Sequence, residues 1–401
     1  MKLADTIDTE IEAAREPLFG LCARLVAAES VSPPGLTAGV AAIVRDWLAE
    51  AGVAVETVAA DVTAPNIVGS VVGAGAGRHV VFNAHMDTME AGDLARWTVP
   101  PLTLTRRDGR AYGLGMGNMK GALAAMCLAT VLLHRHRDAL SGRLSLTAVS
   151  DEVMFGDRGT VYLLAQRPDL AGDYLISGEG PGFMELAVAE KGLLWLDAET
   201  SGEGGHSSGA LAGCTATMRL AAFLAALDGL NEVFAMVPPE LEGVSGGEGE
   251  VGLRLSLNAG TLNAGTVRSQ IATRATAQID IRLPPGIAAD EAEGRVRAHI
   301  PDGLPVTLAR VKAWDANWTS LDHPLTRAVA AAAEQVRGVA PRPVVRLPGS
   351  DARRWRDLGV PSLCFGPQPT LSAGIDDFAY EQDVVDCAKI YARSAIALMA
   401  G

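Results

Sequence analysis

Four short apolar runs, each followed by a polar or glycine position, constrain the fold of this chain more than any other feature. The runs cover residues 80–84, 144–149, 174–176 and 362–365. They are followed by His85, by Asp151 and Glu152, by Glu179, and by Gly366. Buried parallel strands read as continuous apolar runs, and ligands collect at the carboxyl ends of such strands. The pattern therefore predicts an α/β fold with these positions along one edge of a mixed, mainly parallel sheet flanked by helices.

The pattern of the sequence changes after Glu179. Before it, an apolar helix at 118–136 lies between two strands, as in an α/β domain. After it, strand-like alternation is interleaved with helical stretches in a split βαβ order. The strands are expected at 193–200, 253–257, 275–281 and 306–311, the helices at 212–227 and 288–300, and a loop at 238–252. We therefore predict an α/β domain of residues 1–188 and 314–401, interrupted by an inserted α+β domain of residues 189–313.

Composition excludes several classes of protein. Acidic residues outnumber basic ones by 47 to 34, giving a net charge of −13, which argues against a nucleic-acid partner. A hydrophobic fraction of 48% excludes a disordered chain. The five cysteines form no CxxC pair, which indicates neither a disulfide framework nor a thiolate zinc site. No uninterrupted apolar run reaches the roughly 18 residues of a membrane span. We expect a cytoplasmic protein without membrane contact.

Seven short motifs carry polar chemistry in a fixed order. They are His85-Met86-Asp87, the turn at 113–117 before Asn118-Met119-Lys120-Gly121, Ser150-Asp151-Glu152, Gly178-Glu179, Gly205-His206-Ser207-Ser208, Asp280-Ile281-Arg282 and Gly349-Ser350-Asp351-Ala352-Arg353. Together they resemble the co-catalytic zinc peptidase and deacylase family that includes acetylornithine deacetylase, succinyl-diaminopimelate desuccinylase and glutamate carboxypeptidase. The resemblance covers nearly the whole chain. It implies a homodimer formed by the inserted domain, which also acts as a lid, and an enzyme acting on an amide or acyl linkage of a small carboxylated substrate.

The resemblance also implies five metal-ligand positions, and only two of them keep a ligand. His85 and Glu179 match, whereas the other three positions hold Asn118, Val153 and Ala373. Zinc takes about four nitrogen, oxygen or sulfur donors, and valine and alanine offer none. We therefore expect no metal and no other cofactor, or at most one weakly bound zinc with His85 and Glu179 as residual ligands.

The remaining motif residues imply catalytic roles without a metal. Asp87 matches the carboxylate that orients the histidine, so His85 and Asp87 would form a pair that accepts a proton. Glu152 matches the general base, and next to Val153 its carboxyl would have a raised pKa and act as acid or base. His206 matches the histidine that reaches across a dimer to stabilise the oxyanion.

Substrate recognition is expected from a second set of residues. Arg282 matches a group that binds a substrate carboxylate through a bidentate fork. The turn with Gly349, Ser350 and Arg353 matches a turn that supplies backbone and hydroxyl donors, and Asn118 lies where the family has its bridging acid.

Three of the site residues also have a simpler interpretation. Glu152 suits the N-terminus of a helix, where the dipole favours a carboxylate. Asn118 is a good helix N-cap. Glu179 without a metal would only pair with Lys120 or Lys191.

Three functions remain open from the sequence. The first is a metal-independent enzyme that hydrolyses an amide, transfers an acyl group or forms an amide bond. The second is a single-metal N-acyl-amino-acid deacylase or peptidase. The third is a non-catalytic protein that binds an amino acid in the same cleft.

Overall fold

The computed structural model of the chain describes residues 2–369 and 374–400. The chain divides into two compact units. The large unit comprises Met1–Val188, Trp318–Val344 and Ser350–Gly401, and the small unit comprises Ala189–Asn317 and Val345–Gly349. Position Ala373, expected to match a late metal-binding histidine, lies outside the described residues.

Helices and strands are numbered along the chain. The helices are α1 (Leu3–Ala13), α2 (Arg15–Ala27), α3 (Ala38–Glu50), α4 (Gly121–Arg135), α5 (Thr160–Gln166), α6 (Ala216–Leu227), α7 (Ala289–Ala298), α8 (Pro324–Arg337), α9 (Ala352–Asp357) and α10 (Glu381–Met399). The strands are β1 (Ala54–Val58), β2 (Asn66–Val72), β3 (Gly75–His85), β4 (Thr105–Arg107), β5 (Arg110–Tyr112), β6 (Ser141–Val149), β7 (Tyr174–Ser177), β8 (Glu185–Glu190), β9 (Gly192–Ser201), β10 (Gly205–His206), β11 (Ser256–Ala264), β12 (Gln270–Ile271), β13 (Arg274–Leu283), β14 (Val306–Trp314), β15 (Asn317–Trp318), β16 (Arg342–Arg346), β17 (Ser362–Cys364) and β18 (Phe378–Tyr380).

The central sheet has the strand order β1-β2-β6-β3-β7-β17-β8-β15, with β16 beside β8. Its middle strands β6, β3, β7 and β17 run parallel to one another, whereas β2 runs antiparallel to β6 and β8 antiparallel to β17. The predicted mixed, mainly parallel sheet is confirmed. The four apolar runs of the sequence lie within β3, β6, β7 and β17, where both faces of the sheet are covered.

Helix α4 is the most deeply buried helix segment of the large unit. Every residue from Gly121 to Leu133 is buried, as expected of a helix that is apolar on all sides. The stretch Met116–Arg135 has the length and hydropathy of a membrane span, but 94% of its most apolar window is buried inside the fold. It is therefore a core helix in this structure.

The small unit contains a four-stranded antiparallel sheet in the order β11-β13-β9-β14. Alternate residues of β9 and β13, such as Leu194, Leu196, Ile279 and Ile281, form a core with α6 and α7. The interleaving of strands and helices follows the split βαβ order predicted from the alternation of apolar and polar residues.

Candidate metal centre and active site

Three neighbouring parallel strands deliver the candidate site residues to one edge of the central sheet. Strand β3 ends at His85, β6 ends just before the corner formed by residues 150–152, and β7 ends just before Glu179. Because β3 pairs in parallel with both β6 and β7, the carboxyl ends of all three lie side by side. The polar residues that follow the strands are therefore brought together in the large unit.

His85, Glu152 and Glu179 form a buried cluster at this edge. His85 Nε2 lies 3.8 Å from Glu152 Oε2 and 3.6 Å from Glu179 Oε1, and the three side chains are between 1% and 8% exposed. One ligand atom from each residue lies within 4.8 Å of the others. One imidazole nitrogen and two carboxylate oxygens are a donor set that suits a catalytic divalent metal with an open coordination position.

The backbone, rather than a carboxylate, orients the imidazole of His85. His85 Nδ1 lies 2.8 Å from the backbone carbonyl of Asp87, whereas the Asp87 carboxylate is 3.7 Å away. That carboxylate instead accepts hydrogen bonds from the backbone N–H groups of Glu152, at 3.2 Å, and Val153, at 3.0 Å. Asp87 therefore joins the ends of β3 and β6, and it orients Nε2 of His85 toward the cluster through its carbonyl.

Asn118 does not cap a helix, contrary to the simpler interpretation of its position. Helix α4 begins at Gly121, and Asn118 has non-helical backbone angles in the preceding turn. Its Oδ1 lies 3.2 Å from His85 Nε2. The amide therefore faces the same imidazole nitrogen as the two glutamates.

The pKa values of the cluster reflect crowded negative charge. Burial raises the pKa of Glu152 well above its usual range, and the charge of Glu179 raises it further. Burial alone would lower the pKa of His85, but Glu179 and Glu152 outweigh it and raise this pKa to about 10. A divalent cation would neutralise this excess of buried carboxylates, so the residues present fit a metal.

Asp351 belongs to the same environment, although it was not among the predicted site residues. It is buried, and burial raises the pKa of its carboxyl to about 6, with a further contribution from the charge of Glu179. Its Oδ2 atom is buried without a hydrogen-bond partner among the described residues. Asp351 lies in the motif at residues 349–353, which was predicted to supply only backbone and hydroxyl donors.

The residues predicted to recognise the substrate lie in both units. In the large unit, Ser350 Oγ accepts a hydrogen bond from the backbone N–H of Ala352 at 3.1 Å. Arg353 lies within α9, and its Nη1 is 2.5 Å from Asp357 Oδ2.

In the small unit, Arg282 forms an ion pair with Asp280 at 3.0 Å. His206 is exposed, with Nδ1 2.8 Å from Ser208 Oγ. Gly349 also belongs to this unit.

The lysines considered as partners for Glu179 have other contacts. Lys120 Nζ donates to the Ala28 carbonyl at 2.9 Å. Lys191 Nζ donates to Val251, Arg254 and Ser256 in the small unit. The contacts of Lys120 and Lys191 therefore do not support the interpretation that Glu179 only pairs with one of these lysines.

Comparisons with known proteins identify the family and the fold of the chain. The sequence model of peptidase family M20/M25/M40 matches residues 81–397. Succinyl-diaminopimelate desuccinylase of Methylocella silvestris is 28% identical over 386 residues, which cover 93% of this chain and 95% of that protein. Among solved structures, human carnosine dipeptidase 1 superimposes with a TM-score of 0.79 at 15% identity, covering 100% of this chain and 99% of the other. The Bacillus subtilis YXEP protein, described as a dinuclear metal binding peptidase from the M20 family, gives a TM-score of 0.70 at 15% identity, with coverages of 97% and 99%.

The expectation that the chain has no metal cofactor is wrong. His85, Glu152 and Glu179 form a group that can hold an ion, and the matched family includes dinuclear metal binding peptidases. Only two of the five ligand positions implied by the family resemblance hold a donor in this sequence, His85 and Glu179. Glu152 is not at one of those five positions, but the fold brings it next to His85 and Glu179, where it supplies a third donor.

Proposed function

The chain belongs to peptidase family M20/M25/M40, and from this premise we propose that it is a metal-dependent hydrolase of an amide bond in a small, carboxylated, amino-acid-like substrate. The amidohydrolase class follows from the family and from the desuccinylase relative. The metal dependence and the substrate class are the proposal.

The buried cluster of His85, Glu152 and Glu179 carries this proposal. Its three ligand atoms lie within 4.8 Å of one another at the carboxyl edge of the sheet. A divalent cation held there would act as a Lewis acid toward a substrate carbonyl.

The chain's own residues supply positioning and proton transfer. Asp87 holds the backbone of Glu152 and Val153 by two hydrogen bonds and orients His85 through its carbonyl. The carboxylate of Glu152 has two oxygens, and Oε2 faces His85. Its other oxygen is then the atom that exchanges a proton during hydrolysis, the role of a general acid–base group.

Substrate recognition is assigned to Arg282 and to the turn that contains Gly349, Ser350 and Arg353. Arg282 Nη1 is buried and has no hydrogen-bond partner among the described residues, although the rest of the guanidinium pairs with Asp280. A substrate carboxylate would satisfy that N–H group through a charge-assisted hydrogen bond. His206, exposed on β10, is assigned to stabilise the oxyanion.

The proposal is tested by measuring metal content and turnover together. Purified protein is analysed for bound divalent metals and assayed against N-acetyl and N-succinyl amino acids and dipeptides. We expect hydrolysis of at least one of these classes, loss of activity with a chelator, and recovery when Zn²⁺, Mn²⁺ or Co²⁺ is added.

Other outcomes would overturn specific parts of the proposal. Turnover that survives complete removal of metal would disprove metal dependence. Amide formation without hydrolysis would favour an acyl-transfer enzyme. Binding of acyl amino acids without any turnover would favour a non-catalytic binding protein.

A further inference from the structure

The backbone that presents Glu152 is strained. Asp151, the residue before it, has a φ of +63°, and Phe155, three residues after it, has a φ of +51°. Residues other than glycine rarely adopt this conformation, and it persists only where the surroundings fix it. The corner must therefore be held in place by specific contacts.

Three hydrogen bonds from Arg158 to the carboxylate of Asp151 are among those contacts. Its Nε and Nη2 donate to the two oxygens of the Asp151 carboxylate, each at 3.2 Å, and its backbone N–H donates to Oδ2 at 3.2 Å. A bidentate guanidinium–carboxylate pair is both stronger and more directional than a single hydrogen bond. The Asp151 side chain is 10% exposed, so solvent screens the pair only in part.

The same arginine connects the corner to two other segments. Arg158 Nη2 donates to the carbonyl of Pro34 at 3.2 Å. The Arg158 carbonyl accepts from Asn66 Nδ2 at 2.9 Å, and Asn66 Oδ1 in turn accepts from the backbone N–H of Ser150 at 3.0 Å. Ser150 at the start of the corner and Arg158 beyond its end are therefore both fixed to strand β2 through Asn66.

Two glycines leave room for the ion pair. A Cβ at Gly156 would lie 2.1 Å from Asp151 Oδ2, so only glycine permits this position of the carboxylate. Gly35 has a φ of +70°, and a Cβ there would lie 3.2 Å from Arg158 Nη2. A glycine therefore lies beside each partner of the Arg158–Asp151 ion pair, Gly156 beside Asp151 and Gly35 beside Arg158.

Two carboxylates, each with its own hydrogen-bond partners, thus fix the backbone around Glu152. Asp87 accepts the N–H groups of Glu152 and Val153 on one side, and Asp151 is held by Arg158 on the other. We propose that Arg158 is a positioning residue, whose ion pair with Asp151 sets the place of Glu152 in the cluster with His85 and Glu179. This inference rests on the proposed function, because the cluster is the site assigned to the metal.

The test compares three variants with the wild type by titrating metal-free protein with Co²⁺. Arg158→Ala removes the ion pair, and Arg158→Lys keeps the charge without the fork. Asp61→Asn is the matched control, because Asp61 lies 3.6 Å from Arg158 Nη1 and is 41% exposed. Asparagine at position 61 also keeps the oxygen that accepts hydrogen bonds from Thr63. Binding is followed by calorimetry and by the visible absorption of bound Co²⁺.

We expect Arg158→Ala to weaken Co²⁺ binding by about 10–100-fold, as is usual when a residue that orients a metal ligand is lost. Arg158→Lys should lie between Arg158→Ala and the wild type, and Asp61→Asn should match the wild type. Where turnover is measurable, kcat should fall more than KM rises. A folded Arg158→Ala protein that binds Co²⁺ with unchanged affinity and spectrum would overturn the inference, and Arg158→Lys serves the same purpose if the alanine variant does not fold.

A second measurement separates this inference from the proposed function. If wild-type protein binds no Co²⁺, the proposed metal site fails, and Arg158 is then judged by hydrogen exchange of metal-free protein. The amides of Glu152 and Val153 should be protected in the wild type and should lose protection in Arg158→Ala. Equal protection in both proteins would show that Arg158 does not position the corner.

Discussion

At the scale of single residues, the chemistry of the site is set by several carboxylates around one imidazole. Asp87, Glu152 and Glu179 each have an oxygen within 4 Å of a His85 ring nitrogen, and the charge of Asp351 also acts on His85. The carboxylate of Asp87 accepts hydrogen bonds from the backbone N–H groups of Glu152 and Val153, which balance part of its charge. Glu152 and Glu179 lie with His85 in the group that can hold a cation.

Substitution of Glu152 and of Arg282 should impair the enzyme in different ways. Glu152→Gln keeps the shape of the side chain but removes its charge, so kcat should fall by about 10²–10⁴-fold, as expected for a general acid–base residue. Arg282→Ala should instead raise KM, because loss of a charged hydrogen bond costs about 1.5–3 kcal/mol. Steady-state kinetics measures both effects, and Glu50→Gln, an exposed change on α3, is the control. Wild-type kcat in Glu152→Gln would contradict the catalytic role.

Single residues also show where prediction from sequence succeeds and where it fails. His85 and Glu179 were predicted from the apolar runs that precede them, because strand ends can be recognised in sequence. The hydrogen bonds of Asp87 and the ion pair of Arg158 were not predicted. The Asp87–Glu152 hydrogen bond joins residues 65 positions apart, and the Arg158–Asp151 ion pair joins residues 7 positions apart through a strained corner. Asp351 was overlooked because burial, which defines its environment, is a property of the folded chain.

At the scale of elements, Lys191 fixes the end of a long segment in the small unit. It directly precedes β9, and its Nζ donates to Val251 O at 2.9 Å, to Arg254 O at 2.7 Å and to Ser256 Oγ at 2.7 Å. The segment at 238–252, predicted as a loop, contains only short 3₁₀ turns and ends against this ammonium group. Hydrogen bonds from a buried lysine thus fix the end of a glycine-rich segment that contains only short 3₁₀ turns.

Replacing Lys191 by methionine should change the pH dependence of stability. Burial lowers the pKa of Lys191 from 10.5 to about 7, so between these values the unfolded chain binds a proton that the folded chain does not. The unfolding free energy of the wild type should therefore rise with pH in this window, by at most about 1.4 kcal/mol per pH unit. Below about pH 7 both states are protonated, and the cost of burying the charge is fully present.

Urea unfolding at about pH 7 and about pH 9 tests this prediction. Lys191→Met leaves three acceptors without their donor, which should cost about 1–3 kcal/mol for each unsatisfied group. The advantage of the wild type over Lys191→Met should therefore be larger at the higher pH. An advantage that shrinks as pH rises would contradict the assigned pKa direction.

Whole elements were easier to predict than their ends. The split βαβ order follows from alternating burial in β9 and β13, a pattern that a sequence displays directly. Helix α4 was predicted to begin at residue 118, yet it begins at Gly121, because residues 116–120 form a separate turn that directs Asn118 toward His85. The predicted start of α4 is therefore wrong at residues 118–120, where the chain is not a regular helix and Asn118 lies beside His85.

At the scale of the whole molecule, the small unit has an edge that is suited to self-association. Strand β11 is the outer strand of its sheet, and its nine residues include neither a charged residue nor a proline to discourage pairing. Leu262 on this strand is 53% exposed, and its register partner Ala277 faces the core beside α6. Met218 is also exposed, on the helix α6 that packs against β11.

We therefore predict a twofold dimer in which β11 of one copy pairs with β11 of another, the self-complementary contact expected of such an edge. Leu262→Glu places a charge in this contact and should yield a folded monomer, whereas the wild type should be a dimer at micromolar concentration by light scattering. Val311→Glu is the matched control, because Val311 is 56% exposed on β14 at the opposite edge of the same sheet. A monomeric wild type, or dissociation by Val311→Glu but not by Leu262→Glu, would exclude β11 as the interface.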